Sequence, residues 1–217
     1  MERSIVNELY GQGLRVAVVE VGRVVEGPSP AALTAELTAL VQKRTVEDFP
    51  PEELRRGVRA LLRRGGYHPS GRGKPASEYL AQAAREGRFP FLTALVDCNN
   101  LVSLESGLPI TMLDGARFGG EVVFRFGREG ERYVFNPSGQ ELDLGGLICT
   151  CAGEVPLGTP VKDAMAGKVT AETTSALAVI YAPQDRISAE ALRGWGERLV
   201  GVLRLYAEAE AIELSVG

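Results

Sequence analysis

Histidine and tryptophan occur once each, and cysteine three times, in a chain of 217 residues. Cys98, Cys149 and Cys151 are too few, and odd in number, for a disulfide framework. One Cys-x-Cys pair and the single histidine, His68, fall short of a zinc site. Buried free thiols are therefore expected, with no metal and no other cofactor. No stretch reaches the uncharged apolar length that a membrane span requires. The opening Met1-Glu2-Arg3-Ser4 is not followed by the apolar run of a secretory signal. Both absences point to a soluble, cytoplasmic protein with no membrane partner. An excess of positive charge is missing too. The 24 basic and 28 acidic side chains leave a net charge of −4, which excludes a globally basic nucleic-acid binder. Neither a Gly-x-Ser-x-Gly elbow, nor a dinucleotide fingerprint, nor a His-Glu-x-x-His helix is found. Gly66 and Gly71 have the separation of a phosphate loop, but Arg72 and Gly73 follow them where that loop needs Lys and Ser or Thr.

What is present is ordinary globular material, 45% hydrophobic and 24% charged. The length suits a single domain, 1–217, with a core that needs no staples. Leu14 to Val21 reads as a buried strand. Ser29-Pro30 reads as a helix start, with a capping hydroxyl before proline at the first helical position. Pro50-Pro51-Glu52-Glu53 opens a second helix with Leu54, Val58, Leu61 and Leu62 inward. Ser77 to Arg85 is a third, with Tyr79, Leu80 and Ala83 inward, and Phe91 to Leu104 a fourth. From Pro109 the period changes. Glu121 to Phe126 and Arg132 to Phe135 read as strands joined by a hairpin turn at Gly127-Arg128-Glu129-Gly130. Leu147 to Cys151 and Ala176 to Tyr181 are further strands, Ser188 caps a last helix, and Ala211 to Val216 closes as a strand. Helices, then strands, then a helix argue for a mixed α+β fold and against alternating βαβ units. The expected divisions are 1–74 (strand, helices and basic connector), 75–183 (core) and 184–217 (helix and strand).

Charge is unevenly spread. Between Leu54 and Lys74 lie seven Lys or Arg and no acid, on a chain otherwise at −11. Arg55, Arg59 and Arg63 share one face of the second helix, and Arg72 and Lys74 follow in the Gly-rich connector. A solvated polar face and a phosphate-contacting, RNA-binding face both satisfy this pattern.

The block from Leu95 to Asp114 is more distinctive. Asp97, Asn99 and Asn100 place hydrogen-bonding groups within one helical turn, where they order neighbouring backbone or a ligand. Gly107 ends the helix, and Pro109 leads into a strand that carries Thr111 and Asp114 towards those groups. Val96-Asp97, Asn100, Leu104-Glu105, Gly107, Pro109, Asp114 and Gly119-Gly120-Glu121-Val122-Val123 keep one spacing throughout. In that spacing the block resembles the tRNA-editing domain of the phenylalanyl-tRNA synthetase beta subunit. The likeness extends through Gly153-Glu154, Val161-Lys162-Asp163 and Lys168-Val169-Thr170 to Tyr181-Ala182-Pro183. It spans Ser77 to Pro183.

The resemblance implies a core containing a β-sandwich, flanked by helices, with a pocket between its layers. In that family the pocket receives an amino acid esterified to the tRNA 3′ end and hydrolyses wrongly attached tyrosine. A free-standing module acting in trans is thereby implied, with aminoacyl-tRNA as partner and an amino acid as ligand. A non-catalytic amino-acid or aminoacyl-tRNA binding module of the same fold is the alternative. The family has histidine where Thr111 stands and threonine where Asn99 stands, so these two are the candidate catalytic positions. Thr111 could orient a water, but it is no general base. The late strand, where the family carries the carboxylate that reads the tyrosine hydroxyl, holds no acid between Ser175 and Val179. Asn100, Pro109, Asp114, Gly153, Glu154, Lys168 and Thr170 are the implied substrate-binding positions. Glu154 would bind the amino group, and Lys168 or Thr170 the ester or terminal phosphate. A turn carboxylate and a solvated lysine are the plain alternatives at Glu154 and Lys168.

Overall fold

The computed structural model describes residues 3–217. Two four-stranded sheets and a layer of helices make up the fold. The outer sheet has the order β1 (Ser4–Asn7), β4 (Glu121–Phe126), β7 (Ile148–Ala152), β8 (Val155–Gly158). Its β1–β4 pair is parallel and the others are antiparallel. The inner sheet is antiparallel throughout, in the order β10 (Glu210–Val216), β2 (Leu14–Arg23), β9 (Ala176–Pro183), β3 (Ile110–Asp114). A small hairpin pairs β5 (Arg132–Val134) with β6 (Glu141–Asp143). The helices are α1 (Ala31–Val46), α2 (Glu52–Arg63), α3 (Ala76–Arg85), α4 (Ala94–Ser106) and α5 (Ala189–Tyr206). The mixed α+β class expected from the element order is the class observed.

The inner sheet is buried on both faces, and strand alternation divides its side chains between two cores. Val16 and Val18 of β2, with Leu177, Val179 and Tyr181 of β9, meet Val122, Phe124, Cys149 and Cys151 of the outer sheet. Ala17, Val19 and Val21, with Ala178, Ile180 and Ala182, meet Leu33, Leu37, Leu101, Leu104, Leu199 and Leu203 from the helices. The alanines on the helix side let α4 and α5 approach the strands closely. This two-sided burial is why β2 and β9 read as continuous apolar runs.

Local chemistry sets the helix ends. Gly107 adopts φ 76° and closes α4 by donating its N–H to the Ser103 carbonyl at 2.9 Å. Arg44, buried against the Phe49 ring, donates from Nε to the free Leu104 carbonyl at 3.0 Å. The Ser188 hydroxyl accepts from the Ala191 N–H, as its position predicts.

Three expectations are corrected. Ser29 does not cap α1: Pro30 is the cap residue, and the Ser29 hydroxyl donates to Asp97 at 2.6 Å. Gly127–Gly130 is not a β4–β5 hairpin, because β1 and β7 already occupy both edges of β4 and β5 pairs with β6. Gly127 is required for close approach, since a Cβ there would lie 1.9 Å from the Leu144 carbonyl oxygen. Tyr79 and Leu92 are exposed, and Leu92 precedes α4. Strand β2 is central to the inner sheet, so residues before 75 contribute to the core as well. Cys98, Cys149 and Cys151 are free and buried, and burial holds their thiols well above the usual range.

The layering predicts opposite outcomes two residues apart on α5. Leu203→Ala, in the helix–sheet core, should cost about 2–5 kcal/mol in urea unfolding. Leu205→Ala, on the exposed face, should stay within about 0.5 kcal/mol.

Candidate functional site

A cavity of about 450 Å³ opens where the helix layer passes the free edge of β3. Two-sided burial leaves this edge as one of the few places where the inner sheet meets polar groups. The segment from Thr159 to Val169 runs alongside it, and Lys168 bridges to Leu113 of β3. Leu80 of α3, Val96 of α4, Ile110 and Met112 of β3, Val161 and Val169 form the apolar wall. Tyr79, Leu92 and Phe135 stand at the mouth.

Polar groups are few and placed by the fold. Asn99 and Asn100 follow one another on α4 and both line the cavity. Asn99 is buried, and its Nδ2 donates to the Ile110 carbonyl at 3.3 Å. Its Oδ1 has no partner among the described residues, which is costly for a buried acceptor. Asp97, a residue from the same motif, instead serves the backbone: it accepts from the Leu92 N–H at 3.0 Å and from Ser29.

Asp163 is the only carboxylate in the wall. It lines the cavity and is half-buried, and burial pushes its pKa up from 3.8 to about 6. The Thr111 hydroxyl, the Thr159 N–H and the Lys168 charge oppose that rise without cancelling it. The Thr159 N–H donates to Asp163 Oδ1 at 3.3 Å. Thr111 Oγ1 is buried and makes no well-formed hydrogen bond among the described residues, yet it lies close enough to Asp163 to lower its pKa. Asp163 Oδ1 and Thr111 Oγ1 converge on Gly158, where a Cβ would meet each at 3.1 Å. Glycine at 158 therefore lets Leu113, Thr111 and the Asp163 carboxyl pack closely against its backbone.

Cations surround the opening. Arg72, Lys74, Lys162 and Lys168 line the cavity, and none forms an ion pair among the described residues. Lys168 Nζ donates to the Phe135 carbonyl at 2.6 Å, and Lys162 Nζ lies 4.0 Å from the centre of the Phe135 ring. Burial lowers the pKa of Lys162, and Arg72 adds to that drop. Burial likewise lowers the pKa of Lys74.

The structure gathers some of the sequence-designated positions and separates others. Asn99, Asn100, Lys168, Arg72 and Lys74 meet in one cavity. Thr111 faces the inter-sheet core just behind its wall, and Pro109 is buried, its carbonyl accepting from the Tyr181 N–H. Asp114 caps the turn after β3 through the Ala116 N–H at 3.0 Å. Gly153 and Glu154 form the β7–β8 turn of the outer sheet, where Glu154 pairs with Arg128 and neither residue lines the cavity. Thr170 is exposed and donates to Glu172 at 2.6 Å. On α2, Arg55 pairs with Asp48 and Glu52, Arg59 holds the buried Glu78 through two bonds, and Arg63 is exposed. Asp163, Lys162 and Phe135 were not singled out from the sequence as site residues. The signal for Asp163 was its place in the Val161-Lys162-Asp163 stretch. Among the described residues no group of His, Cys, Asp and Glu side chains could hold a metal ion, and no helix is long and apolar enough to cross a membrane.

The raised pKa of Asp163 has a thermodynamic sign. Between pH 4 and 6 the folded state keeps a proton that the unfolded chain has lost, so stability falls as pH rises through that window and levels off above it. Asp163→Asn lacks the effect. Relative to wild type it should gain stability across the window, reaching about 3 kcal/mol near neutral pH in urea unfolding. A difference that stays constant with pH would contradict this assignment.

Residues 71–193, more than half of the chain, match the family described as the B3/4 domain. Every residue lining the cavity falls within that span. No curated protein matches the chain. Among solved structures, it is similar to an N-terminal fragment of the phenylalanyl-tRNA synthetase beta-subunit from Pyrococcus horikoshii. The identity is 10% and the TM-score 0.49, over 97% of this chain and 50% of that one, so the chain spans half the length of the fragment. On the extent of the family match, the chain belongs to the B3/4 domain family.

Proposed function

We propose that the cavity receives the aminoacylated 3′ end of a tRNA and that the protein hydrolyses a wrongly attached amino acid in trans. The observation that carries this reading is the pairing of an amide- and carboxyl-bearing apolar cavity with a mouth of cations that lack ion-pair partners. Four cations share this cavity with a single carboxylate, so they repel one another, and an anion relieves that repulsion. A terminal phosphate fits the rim, while a volume of about 450 Å³ suits an amino acid with its ribose. The motif from Val96 to Asp114, which resembles the editing domain of the phenylalanyl-tRNA synthetase beta subunit, supports the same substrate class.

The groove between α2 and α3 continues from the cavity through Lys74 to Arg59, Arg55 and Arg85. It supplies a path for the acceptor strand. Arg55 and Arg59 enter it already paired with acids, so Arg72, Lys74 and Lys162 are the stronger phosphate ligands. The threonine at 111, in place of the family's imidazole, favours a second reading, in which the cavity binds aminoacyl-tRNA without cleaving it.

The test is deacylation of a panel of mischarged tRNAs, phenylalanine tRNA carrying tyrosine among them. Hydrolysis above the buffer rate for at least one member is expected. Binding without cleavage would select the second reading, and neither binding nor cleavage would discard both. In the same assay, replacing Arg72, Lys74 and Lys162 with alanine should flatten the dependence of log affinity on log salt by about 0.7–0.9 per lost phosphate contact. Arg55→Ala should flatten it less.

A further inference from the structure

Resting on that reading, we propose that Asp163 is the general base of the hydrolysis, in the role that an imidazole at position 111 would otherwise fill. Several observations converge on it. Among the residues lining the cavity it is the only carboxylate, and the neighbouring titratable groups there are cationic. Asn99 and Asn100 hold a fixed protonation state. The sandwich-side threonine cannot accept a proton at neutral pH.

The fold holds the carboxyl in place while leaving it available. One oxygen, Oδ1, accepts the Thr159 N–H, and the Thr159 hydroxyl donates to the Lys162 carbonyl at 2.6 Å, closing the loop that carries Asp163. Its place in the cavity wall leaves the carboxyl within reach of a ligand. The groups facing the carboxyl are the Lys168 ammonium from its own loop, the Thr111 hydroxyl from β3, the Tyr133 phenol from β5 and the Tyr181 phenol from β9. Both phenols titrate far above neutrality. Tyr133 donates to the Lys162 carbonyl, and Tyr181 shares a hydrogen bond with Thr150 at 2.6 Å. Arg72, Lys74 and Lys162 complete the surroundings at the rim. A carboxyl whose ionisation lies near pH 6 is mostly ionised at pH 7 and basic enough to take a proton.

The step balances. The Asp163 carboxylate removes a proton from a water molecule as the water oxygen bonds to the ester carbonyl carbon. The tetrahedral adduct collapses, the bond from that carbon to the terminal ribose oxygen breaks, and the proton on Asp163 passes to the departing ribose oxygen. One water is consumed. The products are the free amino acid and a tRNA with its terminal hydroxyl restored, and nothing is oxidised or reduced.

The experiment measures single-turnover deacylation from pH 5 to 8, using the member of the mischarged panel that the full-length wild-type chain cleaves fastest. Wild type should lose activity towards acid, with a midpoint near pH 6. Asp163→Asn, isosteric and uncharged, should cleave about 10²–10⁴-fold more slowly, with no acid limb. Its unchanged tRNA affinity would show that the fold and site persist. Asp163→Glu should restore part of the rate and keep a limb. Thr111→Val removes a hydroxyl that lowers the pKa of Asp163, so its midpoint should move to higher pH. A merely structural role would not move it. If Asp163→Asn keeps a rate within twofold of wild type, or retains the same acid limb, the assignment of the base is wrong while the deacylase reading stands. An unshifted limb in Thr111→Val also counts against the assignment. If wild type cleaves no member of the panel, the deacylase reading falls and the base assignment falls with it.

Discussion

Burial of the inner sheet on both faces is the constraint on which the rest depends. Strands β2 and β9 have the outer sheet on one side and the helices on the other, so most of their side chains are apolar, and the buried Glu20 of β2 is held by Arg3. A polar group placed there would lose its hydration without a partner. Chemistry is thereby confined to an edge. Strand β10 takes one edge, and β3 takes the other, where the helix layer and the Thr159–Val169 segment leave a cavity. The position of the site follows from the layering.

At that edge the molecule tolerates several unfavourable placements at once. Asn99 Oδ1 and Thr111 Oγ1 are buried without partners, Asp163 carries a raised pKa, and the lysines at the mouth face one another without counter-charges. Each costs stability, whereas several buried charges elsewhere are paired, although Arg125 Nε is also left without a partner among the described residues. Arg44 serves the end of α4, Arg59 embraces Glu78, Arg125 binds Glu131, and Arg198 joins Glu36 and Glu105. The unpartnered Asn99 Oδ1, the raised pKa of Asp163 and four cations without ion pairs among the described residues share one cavity, and a ligand there would complete the set.

Much of the fold was legible because its elements carry strong local signals. The apolar runs of β2 and β9, the Pro-Pro-Glu-Glu start of α2, the Ser188 cap and the Gly107 stop each act through neighbours in sequence. Errors arose where the deciding partner was distant. Ser29 has the chemistry of a cap, but Asp97, 68 positions away, claims its hydroxyl. Gly127 and Gly130 flank residues suited to a hairpin, but β4 was already paired on both sides. Tyr79 and Leu92 have apolar side chains that suggest the core, and they stand instead at the mouth of the cavity. The arginines of α2 form a cationic face in one dimension that Asp48, Glu52 and Glu78 largely neutralise in three.

The sequence by itself determined the α+β class, the free buried thiols and the Asn99–Asn100 pair as a place of interest, since composition, periodicity and short motifs act over a few residues. Only the tertiary structure decided which of the designated residues share a cavity. It set Glu154 apart on the outer sheet and brought Asp163 beside Asn99, although 64 positions separate them in the chain. The reason is physical: a carboxyl's pKa and a cation's lack of a partner depend on what surrounds them in space, and those surroundings come from segments that the linear order keeps far apart.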